Sequence, residues 1–354
     1  MDNTIVVSTP PHVKSKRTTR GIMIDVCIAL LPSAIAGCVF FGWQALLIIL
    51  MSVFACVATE FVYFFILNKG FAHKCADAKT VCTRFIKQFD FTSVVTGLIL
   101  ALILPTTDKW YEVFYEVIIG AMFSIAIAKM LFGGTGKNLV NPAAAGRVFM
   151  FISFSITTYT AANISAIEFS SGVFTNSTNL WWLLSSNGGN PHTQVSVLDL
   201  FLGTGVAGCI GETCKAAILL GYIYLAARNV IKWWQPLLFL VVFGFAAVFM
   251  SGFAFIQTGG YIFDMELFLP RILSGGVLFG AIFMFTDYST SPKGVFGQIV
   301  YYVLAAILVA VLRYLTKLEV TSFVILIMNL FVPLIDKYII RKPFGYKKAE
   351  KEGK

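Results

Sequence analysis

Long apolar runs separated by short polar connections dominate this chain. A helix needs about 20 apolar residues to cross the roughly 30 Å of hydrocarbon in a bilayer. The predicted spans are Gly21–Phe41, Gln44–Leu67, Tyr111–Leu131, Ala143–Tyr159, Glu212–Ala227, Trp234–Ser251, Leu267–Phe285, Gly297–Leu312 and Val320–Ile335. The pattern predicts an all-α protein that crosses a membrane many times.

Two further apolar runs are too short to be ordinary spans. Phe91–Leu104 ends at Pro105, and at 1.5 Å per residue it reaches only about 21 Å. It is either a short span or one limb of a broken helix. Leu198–Ile210 is also short and contains three glycines. We expect discontinuous helices at both places, which a membrane protein tolerates only where protein or a cavity covers the backbone.

Composition strengthens the membrane assignment and removes other classes. The 354 residues are 58% hydrophobic and 13% charged, with a mean hydropathy of +0.81, far above a soluble domain. The net charge of +9 comes from basic residues at the termini and in the connections, which argues against a nucleic-acid surface. The seven cysteines form no C-x-x-C pair, so we expect no metal site.

The basic residues also predict orientation, because cytoplasmic connections are rich in Lys and Arg. They cluster near the N-terminus (Lys14 to Arg20), in the second connection (Lys69 to Lys87) and in the tail (Lys337 to Lys348), whereas Val148 to Cys214 contains none. Counting Phe91–Leu104 as a crossing gives about ten spans with both termini in the cytoplasm. The predicted units are a cytoplasmic segment 1–20, a first membrane repeat 21–159, an extracytoplasmic loop 160–197, a second repeat 198–336 and a basic cytoplasmic tail 337–354.

The two halves of the chain resemble each other. Val95-Thr96-Gly97 leads through an apolar run to Thr107-Asp108, and Leu273-Ser274-Gly275 leads through another to Thr286-Asp287. Asn138 to Pro142 likewise matches Asn329 to Pro333 in pattern. We therefore predict a duplicated five-helix unit whose copies have inverted topology.

Ionisable side chains within apolar runs are costly and are functional candidates. They are Asp25, Glu60, Lys129, Arg147, Glu212, Lys215, Arg271 and Asp287. For Lys129, Arg147 and Asp287, which lie near predicted span ends, solvation at the interface is an alternative explanation. Asp25, Glu60 and Glu212 are short carboxylates that cannot reach far, so we expect protein or water beside them.

Several stretches in the same order resemble the NqrB/RnfD family over nearly the whole chain. They are Ile22 to Val26, Ala29 to Pro32, Val95 to Leu98, Leu131 to Gly134, Asn141 to Ala143, Gly146-Arg147, Ile210 to Thr213, Ser274 to Gly276, Thr286 to Tyr288 and Thr290 to Pro292. The resemblance implies a fold similar to urea transporters, built from two inverted five-helix repeats.

The resemblance also implies a function. Members of this family are membrane subunits of the bacterial cytoplasmic membrane, within complexes such as Rnf that couple electron transfer between ferredoxin and NAD to Na+ or H+ translocation. The NAD and ferredoxin sites would lie on other subunits. The cofactor would be FMN, joined to a hydroxyl by a phosphoester bond, and a second, noncovalent flavin such as riboflavin is compatible with the family.

The family's flavin motif reads approximately Asp-x-x-Ser/Thr-x-Ala-Thr. Aligned here, it places Asn190 at the acidic position, Thr193 at the first hydroxyl, Val195 at the alanine and Ser196 at the flavin-bearing threonine. Ser196 is thus the first candidate for covalent FMN and Thr193 the second, although from the residues alone either could simply cap the following helix. With no basic residue in this loop, backbone amides of that helix would have to hold the phosphate.

Within the pump interpretation, the candidates for an ion path are Asp25, Glu60, Glu212 and Asp287, because a transported cation needs carboxylates or carbonyls. One alternative is a permease or channel of urea-transporter-like fold without a redox role, and another is a purely structural membrane scaffold. A bound flavin would discriminate the pump from both. The sequence leaves the choice between Na+ and H+ open.

Overall fold

The computed structural model describes residues 17–67, 78–106, 110–154, 175–176, 197–204, 206–256, 265, 268–316 and 319–339. The regular secondary structure of this part of the chain is helical, except for one short parallel pairing of Thr175–Asn176 with Val206–Ala207. Four of its helices are long and apolar enough to cross a membrane, or five if one bent pair is counted as a span. The chain is therefore an all-α, multi-pass membrane protein.

The helices vary widely in length. In chain order they are α1 (Thr19–Phe41), α2 (Trp43–Ile66), α3 (Ala78–Gln88), α4 (Thr92–Leu102), α5 (Trp110–Met122), α6 (Pro142–Ser153), α7 (Val197–Leu202), α8 (Lys215–Ala227), α9 (Trp234–Ile256), α10 (Phe268–Leu273), α11 (Val277–Phe279), α12 (Val295–Thr316) and α13 (Thr321–Tyr338). A π-helical segment, Phe123–Met130, continues α5, and a second, Gly280–Met284, continues α11. The four candidate spans are α1, α2, α12 and α13.

Two elements differ from the sequence prediction. The sequence predicts a basic connection where the structure has α3. This helix and α4 form a pair bent by 68°. The predicted span Leu267–Phe285 is not one helix, since it is interrupted at Ser274 to Gly276. The break is possible because Gly275 has a φ of +66°, which glycine adopts without the steric cost of a Cβ atom.

Helix α4 packs tightly against α2 and ends inside the protein. The hydroxyl of Ser52 donates to the carbonyl of Gly97 at 2.8 Å, and a Cβ on Gly97 would lie only 2.8 Å from the Cα of Val53. Small residues permit such close approach between membrane helices. The chain continues past Leu102 as buried backbone, so the last carbonyls of α4 need partners within the protein.

The segment Cys209 to Glu212 supplies most of those partners. The carbonyl of Leu102 accepts from the Gly211 N–H at 2.7 Å, and that of Leu104 accepts from the Ile210 N–H at 3.0 Å. The carbonyl of Ile103 accepts from the guanidinium of Arg147. This polar backbone is thereby held in the interior against the end of α4.

The break between α10 and α11 is stabilised in a related way by two charged side chains. Arg313 donates to the carbonyl of Ser274 at 3.1 Å, and Glu319 accepts from the N–H of Gly276 at 3.3 Å. A cation thus meets the carbonyl end of α10 and an anion meets the amide end of α11, as the partial charges of helix ends favour.

Candidate functional site: two buried charged clusters

The first cluster, called here the Lys129 site, joins α2, α4 and the π-helical segment. The ammonium of Lys129 donates to Oε1 of Glu60 at 2.8 Å and to the hydroxyl of Thr92. The side chains of Lys129 and Glu60 are only 1% and 10% exposed. Thr92 in turn donates to Asp90 at 2.6 Å, and Thr135 donates to the other oxygen of Asp90 at 2.7 Å. A hydrogen-bonded chain therefore leads from buried Glu60 to exposed Thr135.

One carboxylate oxygen of Glu60 takes no part in this hydrogen-bond network. Its Oε2 is buried and accepts no hydrogen bond from any residue that the structure describes. An ionised carboxylate offers about four lone-pair sites, and leaving such an atom unsatisfied in an apolar interior is costly. The second oxygen of Glu60 is thus a ready acceptor for a cation or a proton.

A cavity of about 420 Å³ adjoins this site and includes residues from both halves of the chain. Its polar lining includes Thr92, Thr96, Lys129, Asn141, Thr286, Asp287 and Lys293. Asp287 accepts from the hydroxyls of Ser289 at 2.9 Å and Thr290 at 3.1 Å. Burial raises the pKa of Asp287 above its ordinary value, and these hydrogen bonds act in the opposite direction.

Asp25 lies outside this cavity, on the face of α1 that packs against α8. Arg228 donates to both of its oxygens at 3.3 Å, and the hydroxyl of Tyr224 donates at 3.1 Å. The Arg228 side chain is 58% exposed. Asp25 therefore belongs to a solvent-accessible ion pair.

The second cluster, called the glycine-break cluster, surrounds Gly275 and Gly276. Glu319 pairs with Arg313 at 2.5 Å and accepts from the hydroxyl of Thr321. Glu212 approaches from the other side, since a Cβ on Gly276 would collide with Glu212 Oε2 and lie 3.9 Å from Glu319 Cδ. Two carboxylates thus face the same break in the helix.

Basic groups surround these carboxylates. Lys215 donates to the carbonyl of Glu212, and Arg147 contacts Cys209 Sγ at 3.8 Å. Oε1 of Glu212 accepts from the Cys209 N–H at 3.2 Å, whereas its Oε2 is buried and accepts no hydrogen bond within the described part of the chain. Glu212 therefore resembles Glu60 in having one oxygen to spare.

Helix α4 runs between the two clusters. Its first residue, Thr92, contacts Lys129, and its last, Leu102, contacts Gly211, the neighbour of Glu212. Ten residues at 1.5 Å each separate them by about 15 Å. The segment from Gly276 to Asp287 runs in the opposite sense, from the glycine-break cluster to the cavity. The structure thus brings Glu60 and Asp287 to one end of α4 and Glu212 to the other.

The structure rules out one explanation of buried charges and adds two charges that the sequence did not indicate. Solvation at the interface was an alternative for Lys129 and Arg147, but they are 1% and 4% exposed, and both bond to protein atoms in the interior. Arg313 and Glu319 were missed altogether, because they flank a short polar connection that reads as an exposed turn. Only the fold shows that they are 0% and 4% exposed.

The predicted flavin sites, Ser196 and Thr193, lie outside the described residues. The helix that follows them, α7, has only six residues and carries Asp199 in its first turn. A short helix with a carboxylate at its amino end does not favour a phosphate there, so the expectation that its amides anchor the phosphate gains no support. No group of three or more His, Cys, Asp or Glu side chains that could hold a metal occurs among the residues that the structure describes.

Comparison with known proteins places the chain in a family. Residues 6–345 match the model described as the NQR2, RnfD, RnfE family. The D subunit of the Na(+)-translocating ferredoxin:NAD(+) oxidoreductase complex of Acetobacterium woodii is 35% identical over 99% of this chain and 98% of its own length. The D subunit of the proton-translocating ferredoxin:NAD(+) oxidoreductase complex of Clostridium ljungdahlii is 33% identical over 97% of each chain.

A third relative is the D subunit of the ion-translocating oxidoreductase complex of Stutzerimonas stutzeri, which is 30% identical over 92% of this chain and 91% of its own length. The matches extend across both clusters, from α1 to α13. The chain belongs to the NQR2, RnfD, RnfE family.

Proposed function

We propose that this chain is the membrane subunit of a redox-driven ion pump that couples electron transfer between ferredoxin and NAD to translocation of Na+ or H+. The buried carboxylates of Glu60 and Glu212 carry the proposal. Each has an oxygen without a hydrogen-bond partner among the described residues, and they lie at opposite ends of α4. Ionisable groups of this kind are typical of ion pathways through membrane proteins.

The relatives supply the redox half of the proposal. They are named as subunits of oxidoreductase complexes that translocate Na+ in one case and protons in another. These names support coupling to electron transfer and give no support to a permease without a redox role. Because relatives of both kinds are similar to this chain to nearly the same degree, the comparison leaves the transported ion open.

In the proposed topology, about ten spans form two inverted five-helix repeats, with both termini in the cytoplasm of a bacterium. The opposite directions of α4 and of the segment from Gly276 to Asp287 support inversion, because α4 contains Val95-Thr96-Gly97 and the second segment directly follows the matching Leu273-Ser274-Gly275. The two matching segments, Asn138 to Pro142 and Asn329 to Pro333, also meet. With the Asn329 amide oriented to give each atom a partner, its oxygen accepts from the Asn141 N–H at 2.9 Å. The cavity then lies on the cytoplasmic side, and the glycine-break cluster lies toward the outer side.

The electron carrier in this proposal is FMN, bound covalently at Ser196 or else Thr193, with other Rnf subunits supplying the ferredoxin and NAD sites. FMN accepts and donates electrons one or two at a time. Peptide mass mapping of Val148 to Lys215, from a complex purified from cells that contain its flavin transferase, tests this part. We expect an FMN-sized adduct on Ser196, and an unmodified peptide in a complex that transfers electrons normally would exclude it.

The coupling itself is tested with inverted membrane vesicles that contain the complete complex. Reduced ferredoxin and NAD are added, and NADH formation is recorded together with uptake of ²²Na+ or acidification of the lumen. We expect one of the two ions to accumulate, and accumulation to vanish in vesicles from a strain lacking this chain. NADH formation with no ion gradient in sealed wild-type vesicles would refute the pump.

A further inference from the structure

The Lys129 site contains a buried cation where the proposed function requires room for a mobile one. Lys129 and Glu60 form their ion pair inside the protein, at 2.8 Å. Removing either charge from water costs several kcal/mol, so neither is stable here without compensation. A cation that bound Glu60 in addition to Lys129 would leave the site with an excess positive charge. Lys129 and a transported cation must therefore compete for Glu60.

A second carboxylate, Asp90, lies close enough to pair with the displaced ammonium of Lys129. Thr92 accepts from Lys129 and donates to Asp90 at 2.6 Å, so this second carboxylate lies one hydroxyl away from the ammonium. Asp90 is only partly buried, and its other oxygen accepts from exposed Thr135. A lysine side chain has a flexible four-carbon stem, and a shift from Glu60 toward Asp90 keeps it paired.

The cavity reaches the partners of Glu60, although Glu60 itself is not among its lining residues. Thr92 and Lys129 both belong to its wall, and Glu60 Oε2 accepts no hydrogen bond from the described residues. Lys129 also lies on the π-helical segment Phe123–Met130. Such segments occur frequently at functional sites, because their wider turns place side chains that a regular helix would place elsewhere.

We propose that Lys129 is a tethered cation that occupies Glu60 while the site is empty and is displaced toward Thr92 and Asp90 when a monovalent cation, H+ or Na+, binds. The inference rests on the proposed pump function. One positive charge sits on Glu60 in both states, so the carboxylate is never buried without compensation. Lys129 acts as a positioning residue and a competitor, and it is not itself transported.

Other ionisable groups on the surrounding elements contribute to the electrostatic potential at Glu60 and Lys129. They are Cys56 and Tyr63 on α2, Cys82, Arg84 and Lys87 on α3, Asp90 before α4, and Glu116 on α5, with Asp287 and Lys293 across the cavity. Tyr63 donates to the carbonyl of Met130 at 3.3 Å. Among the described groups that contact Lys129 directly, Glu60 alone is a carboxylate, which makes it the partner for which a cation must compete.

The test measures cation binding to the purified complete complex by infrared difference spectroscopy of its carboxyl groups. One titration adds NaCl, with choline chloride maintaining the ionic strength, and the other lowers the pH without Na+. A signal that is present in the wild type and absent in Glu60→Gln reports binding at this site. A response to NaCl identifies Na+ as the cation, and a response to pH alone identifies H+.

Lys129→Met removes the competitor, so we expect binding at least tenfold tighter: a lower half-saturating Na+ concentration, or a Glu60 protonation midpoint at least one pH unit higher. Lys87→Met removes an exposed lysine of α3 and controls for the loss of one positive charge. Lys129→Arg keeps the positive charge on a planar group that can hold a carboxylate through two hydrogen bonds. It should compete for Glu60 more strongly than lysine, so we expect it to weaken cation binding at least tenfold.

A Glu60 signal that neither Lys129 variant shifts, in an assembled complex, overturns the exchange while the pump proposal stands. If Lys129→Met does not assemble, the arginine variant alone decides in the same way. A wild-type complex in which Glu60 responds to neither cation also overturns the inference. Absence of any ion gradient in wild-type vesicles is a separate result, and it refutes the pump itself.

Discussion

Two arginine–carboxylate ion pairs in this protein differ in burial. Arg313 and Glu319 are enclosed by protein, whereas Arg228 reaches solvent from its pairing with Asp25. Burying an ion pair costs free energy. Substituting only one of its partners costs still more, because it leaves an uncompensated buried charge. An exposed pair is screened by water, and its net contribution is small.

At the glycine-break cluster, we expect Arg313→Met and Glu319→Gln each to destabilise the protein by about 3–5 kcal/mol. The double variant should lose less stability than the sum of the two single losses, because neither charge is then left without its partner. Thermal unfolding of the solubilised complex, followed by size-exclusion chromatography with fluorescence detection, gives the comparison. Strictly additive losses would show that the two side chains do not act as a pair.

At the exposed pair, we expect Arg228→Ala to change stability by less than about 1 kcal/mol. Tyr224 remains as a hydrogen-bond donor to Asp25 in that variant. The same unfolding assay at low and high salt measures the effect, which should shrink further as salt increases. A loss of stability as large as that of Arg313→Met would contradict the conclusion that this ion pair is accessible to solvent.

At the scale of single elements, helix breaks and close contacts define this fold more than long helices do. Helix α4 ends in the interior against Gly211, and α10 ends at Leu273, just before the break at Gly275. Both ends place backbone carbonyls or amides beside charged side chains. Such unwound segments inside a membrane protein are tolerated because protein satisfies their polar groups.

The contact between α2 and α4 allows a direct test of close packing. Gly97→Ala would bring its Cβ to 2.8 Å from the Val53 backbone, and we expect a loss of about 1–3 kcal/mol, although alanine favours a helix over glycine. Gly294→Ala is the matched control, since the nearest atom to its Cβ would be 3.8 Å away. Equal thermal stability of the two variants would mean that α4 and α2 pack less closely than described.

At the scale of the whole molecule, the long apolar helices could be predicted from sequence and the polar interior could not. Runs such as Gly21–Phe41 match α1 closely because twenty apolar residues have one stable solution in a membrane. The break at Gly275 was missed because hydropathy averages over a window, and an apolar run interrupted by two glycines still scores as continuous. Helix α3 was missed because its basic residues resemble a connection.

The candidate site shows the same division. Glu60 and Glu212 were identified from the cost of a carboxylate among apolar residues, and both are buried. Glu60 pairs with Lys129, which is 69 residues away, and the second oxygen of Glu212 lies beside Gly276. No local pattern encodes these two contacts. Glu319 was missed for a related reason, because its burial depends on helices distant in the chain.

For the protein as a whole, the central claim is that a buried carboxylate couples ion movement to electron flow. The measurement that tests it most directly compares wild type and Glu60→Gln in inverted vesicles, with NADH formation from reduced ferredoxin and ion accumulation recorded in the same sample. We expect an assembled Glu60→Gln complex to accumulate at least tenfold fewer ions per NADH than the wild type, because the amide cannot carry the charge that a cation neutralises. An unchanged ratio of ions to NADH in that variant would contradict the claim.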